Sequence, residues 1–228
     1  MLEPNEGKSL TIDVAGQSWA RHPIKTRLVL PEDDLEAVIA EYAPSHLQPG
    51  DILIMSERMV AVTQGRAYPI KEIEPSRLAK FLVRFVHKSP YGIGLGSGWT
   101  MELALREVGK PRILAAAAAA AITKPFGVRG VFYRIAGRDA AAIDGPTDNT
   151  LPPFNEYATL GPTDAPGVAR RLKQRFGCEV VIIDANDLGV VVLGHTDGVT
   201  ERFAEQVFRD NPLGQSSQQT PLCLVRRA

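Results

Sequence analysis

Glu179-Val-Val-Ile-Ile-Asp-Ala-Asn-Asp-Leu-Gly-Val-Val-Val-Leu193 is the stretch that decides the fold. Glu179–Ile183 is a short apolar run rich in β-branched residues, which suits a buried strand. Val190–Leu193 has the same character, and the polar Asp184–Gly189 between them has turn chemistry. Two strands joined by a polar turn predict a sheet rather than a helix bundle.

The surrounding pattern agrees. Before this stretch, the basic segment Val168–Phe176 reads as a helix ended by Gly177. After it come a helix over Thr200–Phe208 and a strand over Leu222–Val225. Val131–Ile135 reads as a strand, and Ala140–Ile143 leads into Asp-Gly-Pro-Thr-Asp-Asn at 144–149, ahead of the Pro-rich Leu151–Pro166.

In the N-terminal part, Leu10–Val14 and His22–Val29 are strand candidates and Glu32–Tyr42 is a helix. Asp51–Met55 is a compact strand that Met59–Thr63 continues, and Arg77–Val86 is a helix. Glycine then alternates through Tyr91–Gly98, Thr100 caps a helix that Gly109 ends, and Pro111 opens another. That helix runs through seven alanines and stops at Lys124-Pro125. Alanine has the highest helix propensity, and an all-round apolar helix is expected to pack tightly among neighbours. The whole reads as an α+β fold with mixed, largely antiparallel sheets and packed helices. A length of 228 residues fits one domain, with a division into two subdomains at about 1–125 and 126–228 as an option.

Twenty-six basic residues balance 26 acidic ones, which argues against nucleic acid and anionic membranes as partners. Cys178 and Cys223 have no zinc-ligand spacing and suit a reducing compartment. Met1–Lys8 is polar and acidic, without the apolar core of a secretory signal, and the longest apolar run, Ile113–Ile122, is too short to span a membrane. The expected location is the cytoplasm.

Two segments concentrate hard oxygen donors, one with Asp144, Asp148 and Asn149, the other with Asp184, Asn186 and Asp187. Mg²⁺ or Mn²⁺ held with a nucleotide uses one or two carboxylates plus phosphate oxygens, so the two segments together make a candidate metal site. The same residue types also build ordinary turns. The glycine-rich 92–98 segment precedes a helix but lacks Walker and dinucleotide spacing. The polar Gly214–Thr220 suits either a pocket wall or a linker. His22, His46, His87 and His195 are scattered, and no nucleophilic triad is legible, so catalytic residues are not assigned.

Several segments resemble, in the same order, those of the coenzyme F420-0:L-glutamate (γ-glutamyl) ligases. Gly50-Asp51-Ile52-Leu53-Ile54, then Val60 through Gln64-Gly65-Arg66, is similar to the family's "G-D" strand and "A-E-G-R". Thr26-Arg27-Leu28-Val29 with Asp33-Asp34-Leu35 resembles the opening strand and "D-D-L". Gly109-Lys110-Pro111-Arg112 resembles "G-K-x-P", and Ile143–Asn149 resembles "G-[IV]-D-x-S-N". Val180–Gly189 is similar to "V-I-I-x-D-T-x-G", and Leu213-Gly214 with Pro221–Arg226 to the closing "M-G…P-x-[VL]-x-V-R".

The resemblance implies a ligase that uses GTP and Mg²⁺ or Mn²⁺ to add L-glutamate to the F420 precursor through an acyl phosphate. Its partners would be these small molecules, and the family implies an intertwined homodimer. Asp144 takes the metal position, joined by Asp184 or Asp187, and Asn149 takes the nucleotide-contacting position. Thr26, Arg27, Leu28 and Val29 would offer backbone groups to the nucleotide, and Leu213, Gly214, Gln215 and Ser216 would close over it. Where this sequence departs from the family, Glu57-Arg58 replaces a Ser-Thr pair, Val62 a lysine and Val190 an arginine. Asp144 and Asn149 are two residues further apart than in the motif, and Val190–Pro212 is shorter than its counterpart. These departures imply the alternative of a substrate-shifted or non-catalytic homologue that binds nucleotide or another small ligand.

Overall fold

The computed structural model of the protein describes residues 2–86, 94–128, 130–147, 150–186, 189–214 and 217–228. Its strands in chain order are β1 (Thr11–Val14), β2 (Gln17–Ile24), β3 (Ile52–Ser56), β4 (Ala67–Pro69), β5 (Tyr157–Thr159), β6 (Glu179–Asn186), β7 (Gly189–His195) and β8 (Leu222–Arg227). The helices are α1 (Leu35–Tyr42), α2 (Glu57–Thr63), α3 (Arg77–Leu82), α4 (Gly98–Glu107) and α5 (Lys110–Thr123). They continue with α6 (Val131–Ala136), α7 (Arg138–Ala141), α8 (Ala165–Phe176) and α9 (Glu201–Val207). The fold is α+β. Two compact units emerge, Met1–Gly65 with Pro162–Ala228, and Arg66–Gly161. A cut near residue 125 falls inside the second.

The first unit is built on a six-stranded sheet in the order β1-β2-β8-β3-β6-β7. Every neighbouring pair is antiparallel except β3 with β6, which run parallel from Ile52↔Glu179 to Ser56↔Ile183. One face buries Ile54, Val181, Ile183, Cys223 and Val225 against Val207 and Phe208. Helix α9 contacts both β1 and β7, the two edges of the sheet. Six strands laid flat would be about 24 Å wide, twice a helix diameter, so one helix reaches both edges only because the sheet curls around it. The other face buries Leu53, Met55, Ile182 and Leu224. Each such side chain contributes roughly 1.5–3 kcal/mol. Helix α8 packs on β6 and β7, and a Cβ on Gly194 would lie 2.5 Å from the Ala165 carbonyl carbon, so only glycine allows that approach.

The second unit pairs β4 with β5 antiparallel and contains α3 to α7. Its core includes Leu95, Met101, Leu105, Ile113, Ile143 and Leu160. No helix among the described residues is long and apolar enough to cross a membrane.

Several elements differ from their sequence reading. Met59–Thr63 does not continue β3. Ser56 ends the strand and caps α2, its Oγ accepting from the Arg58 N–H, and burial of Met59, Val60, Ala61 and Val62 outweighs the β preference of the two valines. Val131–Ile135 is helical, in α6, bounded by Gly130 and Gly137, both with positive φ. An apolar run of that length carries no decisive period. Strand β2 ends at Ile24, so only the first part of His22–Val29 is paired. The cap of α4 is Ser97, which forms a capping box with Thr100.

The alanine helix is also not tightly enclosed. In α5 only Ile113 and Ala116 are buried, while Leu114 and Ile122 are exposed. Alanine's propensity sustains the helix without packing on every side.

Candidate functional site

Beyond Ile24 the chain leaves the sheet, yet Thr26 stays buried and its N–H donates to the Gln219 carbonyl at 3.0 Å. This bond puts Thr26, the first residue of one predicted nucleotide segment, beside the loop that holds the other. Arg27 turns its guanidinium to Asp33, with Nη1 to Oδ2 at 2.6 Å and Nη2 to Oδ1 at 2.7 Å. The Leu30 N–H also donates to Asp33, and the Arg27 bond first, then this one, holds the carboxyl below its usual range. Leu28 is half-buried and Val29 buried. The Thr26 and Arg27 N–H groups and the Arg27 and Leu28 carbonyls of this segment also have partners, Gln219, Tyr42, the Thr26 hydroxyl and the Arg27 guanidinium.

In the C-terminal loop Leu213 is buried in the sheet's core. Gly214 has φ +76°, and a Cβ there would lie 2.5 Å from the Gln218 side chain. Gln215 and Ser216 lie outside the described residues. Thr220 is buried, and its hydroxyl donates to the Leu213 carbonyl at 2.8 Å. Asn5, Pro23, Lys25, Ser217, Gln218 and Thr220 help line an open groove of about 450 Å³ beside this loop. Sequence reading missed Lys25 and Asn5. Neither lies in a motif, and no local signal marks a side chain that acts on a loop about 200 residues away.

The acidic segments are carried differently from their sequence reading. Asp144 follows helix α7 and pairs through its backbone with Thr159 at the end of β5, with two bonds of 2.9 Å. Its side chain is exposed. Asp184 and Asn186 belong to β6 itself, opposite Val191 and Gly189, so 184–189 is the end of a hairpin rather than a free loop. Asn186 Nδ2 lies 3.5 Å from Asp184 Oδ1. Asp148, Asn149 and Asp187 lie outside the described residues. Among the described residues no three His, Cys, Asp or Glu side chains gather as a metal site. As donors, the carboxylates of Asp144 and Asp184 offer oxygen alone, the set that Mg²⁺ and Mn²⁺ prefer.

At the departure points, Val62 is buried in α2 and does not face solvent. Arg66 pairs with Glu107 at 2.6 Å, and its Nε donates to the Gly161 carbonyl at 2.5 Å.

The family model described as F420-0:Gamma-glutamyl ligase matches residues 23–207. The coenzyme F420:L-glutamate ligase of Methanopyrus kandleri is 30% identical over 181 residues, which are 79% of this chain and 60% of that protein. The chain therefore spans about 60% of that relative's length. With the matched segment covering most of its residues and both units, the chain belongs to the F420-0:gamma-glutamyl ligase family.

Proposed function

We propose that this protein is a ligase that adds L-glutamate to coenzyme F420-0 at the expense of GTP. The observation that supports the reading is the bond from Thr26 to Gln219, which joins the two segments that the sequence resemblance marks for the nucleotide, within a chain of this family. In the proposed reaction a carboxylate oxygen of the acceptor attacks the γ-phosphorus of GTP, and GDP leaves. The amine of L-glutamate then attacks the acyl carbon, loses a proton and displaces phosphate, so an amide forms. Backbone groups of Thr26–Val29 hold the nucleotide, the loop from Leu213 covers it, and Asn149 contacts it. Asp144, with Asp184 or Asp187, would hold Mg²⁺ or Mn²⁺, which when bound neutralises phosphoryl charge.

A homodimer is part of this reading. In the second unit Leu114 and Ile122 of α5 are exposed, and so is Phe126 beyond it. Leu114, Ala118 and Ile122 recur at every fourth position and form one stripe. Apolar side chains exposed in this way suit burial against a second copy.

A second reading, a homologue that binds a ligand without ligating it, is favoured by Val62. A buried valine stands at the position aligned with the family's lysine, and a phosphate-contacting cation is worth about 1.5–3 kcal/mol. Calorimetric titration of the wild-type protein with GTP, with and without Mn²⁺, separates the two. The ligase reading expects metal-dependent binding, followed by a mass gain of one glutamyl residue on F420-0 when L-glutamate is added. Absence of binding at millimolar GTP with Mn²⁺ present overturns it in favour of the second reading.

A further inference from the structure

Residues 2–8 precede the family-matched segment and contribute no strand or helix. Asn5 nevertheless makes two bonds across the sequence. Its Nδ2 donates to the Pro212 carbonyl at 2.8 Å and to the Thr220 hydroxyl at 2.8 Å. Pro212 and Thr220 both lie in the connection between α9 and β8, eight positions apart. A carboxamide nitrogen has two protons, and both are used here. The orientation is fixed chemically, because the Pro212 carbonyl can only accept and the Asn5 oxygen could not replace the nitrogen. Thr220 passes the bond on, donating to the Leu213 carbonyl inside the same loop.

The surroundings hold the base of the loop in the same way. Lys8 Nζ donates to the Asp210 carbonyl at 2.5 Å, and the buried Arg21 pairs with the Asp210 carboxylate. Asn211 adopts φ +46°, and its Nδ2 donates to the Gly214 carbonyl at 3.1 Å. Next to Thr220, the Gln219 carbonyl accepts from the Thr26 N–H at 3.0 Å. Asn5 also lines the groove beside Lys25, Ser217 and Gln218.

The geometry points to Asn5 as a positioning residue that ties Pro212 to Thr220 and so holds 212–214 and 217–220 where they would meet the nucleotide. The nucleotide part rests on the function proposed above; the clasp itself does not. Bonding Pro212 and Thr220 to one side chain lowers the conformational freedom of both positions.

The test uses the full chain with Asn5→Ala, Asn5→Asp and Asn5→Gln. Aspartate keeps the shape but turns an acceptor toward the Pro212 carbonyl, whereas glutamine keeps both donors on a longer arm. Hydrogen exchange at the Thr26 amide reads the loop directly, because that amide's acceptor is Gln219. Exchange should quicken about tenfold in the Ala and Asp variants, and Gln should restore protection in part. The KM for GTP with Mn²⁺ should rise about tenfold in the same two variants while kcat holds. Unchanged Thr26 exchange in Asn5→Ala and Asn5→Asp overturns the clasp, and so does equal loss of protection in the Asp and Gln variants. Faster exchange with an unchanged KM overturns the nucleotide role. If the wild-type protein binds no GTP, the ligase reading fails, and Thr26 exchange alone decides the clasp.

Discussion

Arg226 Nη2 donates to Asp51 Oδ2 at 2.7 Å, and the carboxylate side chain is 1% exposed while the arginine side chain is 20% exposed. The same Oδ2 accepts the Gln48 N–H at 2.9 Å across the turn that holds Gly50 at φ +85°. The aspartate that follows Gly50, part of the resemblance to the family, is therefore the anchor of a turn and of β8, next to β3.

The pair should respond asymmetrically to substitution. Arg226→Ala leaves a buried carboxylate without its cation and should cost about 3 kcal/mol. Asp51→Ala leaves an arginine that can turn to water and should cost less. Urea unfolding of both variants measures the difference, and equal losses would contradict the asymmetry.

His22 should make stability depend on pH. Burial first, and Arg226 second, lower its pKa, against weaker opposing effects from the Leu2 backbone and Asp51. The unfolded histidine titrates near about 6.5, so it takes up a proton before the folded one does. Its contribution is complete above that value and is lost as pH falls through the lowered folded pKa. His22→Gln should therefore lose less stability than the wild type between about pH 7.5 and about pH 5.5. Denaturation at the two pH values tests this, and equal losses would count against it.

Asp144→Asn should separate binding from folding. The backbone bridge to Thr159 does not use the carboxylate, so that bridge should survive the substitution. Mn²⁺-dependent GTP affinity should fall by at least about tenfold, because a neutral amide replaces a charged metal ligand. Calorimetry on the variant gives the answer, and retained affinity would remove Asp144 from the metal site.

Restoring the family's lysine should fail. Val62→Lys places an ammonium in the buried face of α2, and the protein should lose several kcal/mol without gaining GTP affinity. Thermal melts with and without GTP test both halves. A stable variant that binds GTP more tightly would mean that this turn of α2 opens toward the nucleotide.

The sheet was legible where sequence and packing agree. Val180–Ile183 is apolar throughout and lies paired on both sides, between β3 and β7. The helix α2 was hidden because Val60 and Val62 favour a strand locally, and only burial selects the helix. For α6 the deciding signals were the glycines at 130 and 137, since Val131–Ala136 alone is ambiguous. Of the candidate site, the motifs pointed to Thr26 and the 213–220 segment as expectations but gave no account of Asn5, whose partners are fixed by tertiary structure alone. The hairpin of β6 and β7 also absorbs Asp184 and Asn186, which polar composition had assigned to a loop.

The position of β8 has a consequence for biosynthesis. It lies between β2 and β3, yet it is the last strand of the sheet to leave the ribosome. Until Leu222–Arg227 emerges, the β2 edge and the β3 edge have no partner, and nascent chains bearing such edges are open to pairing with one another. The 66–161 unit is continuous in sequence and does not have to wait for that strand. The sheet of the first unit therefore stays incomplete between the synthesis of β7 and that of β8, the interval in which its β2 and β3 edges are open to wrong pairing.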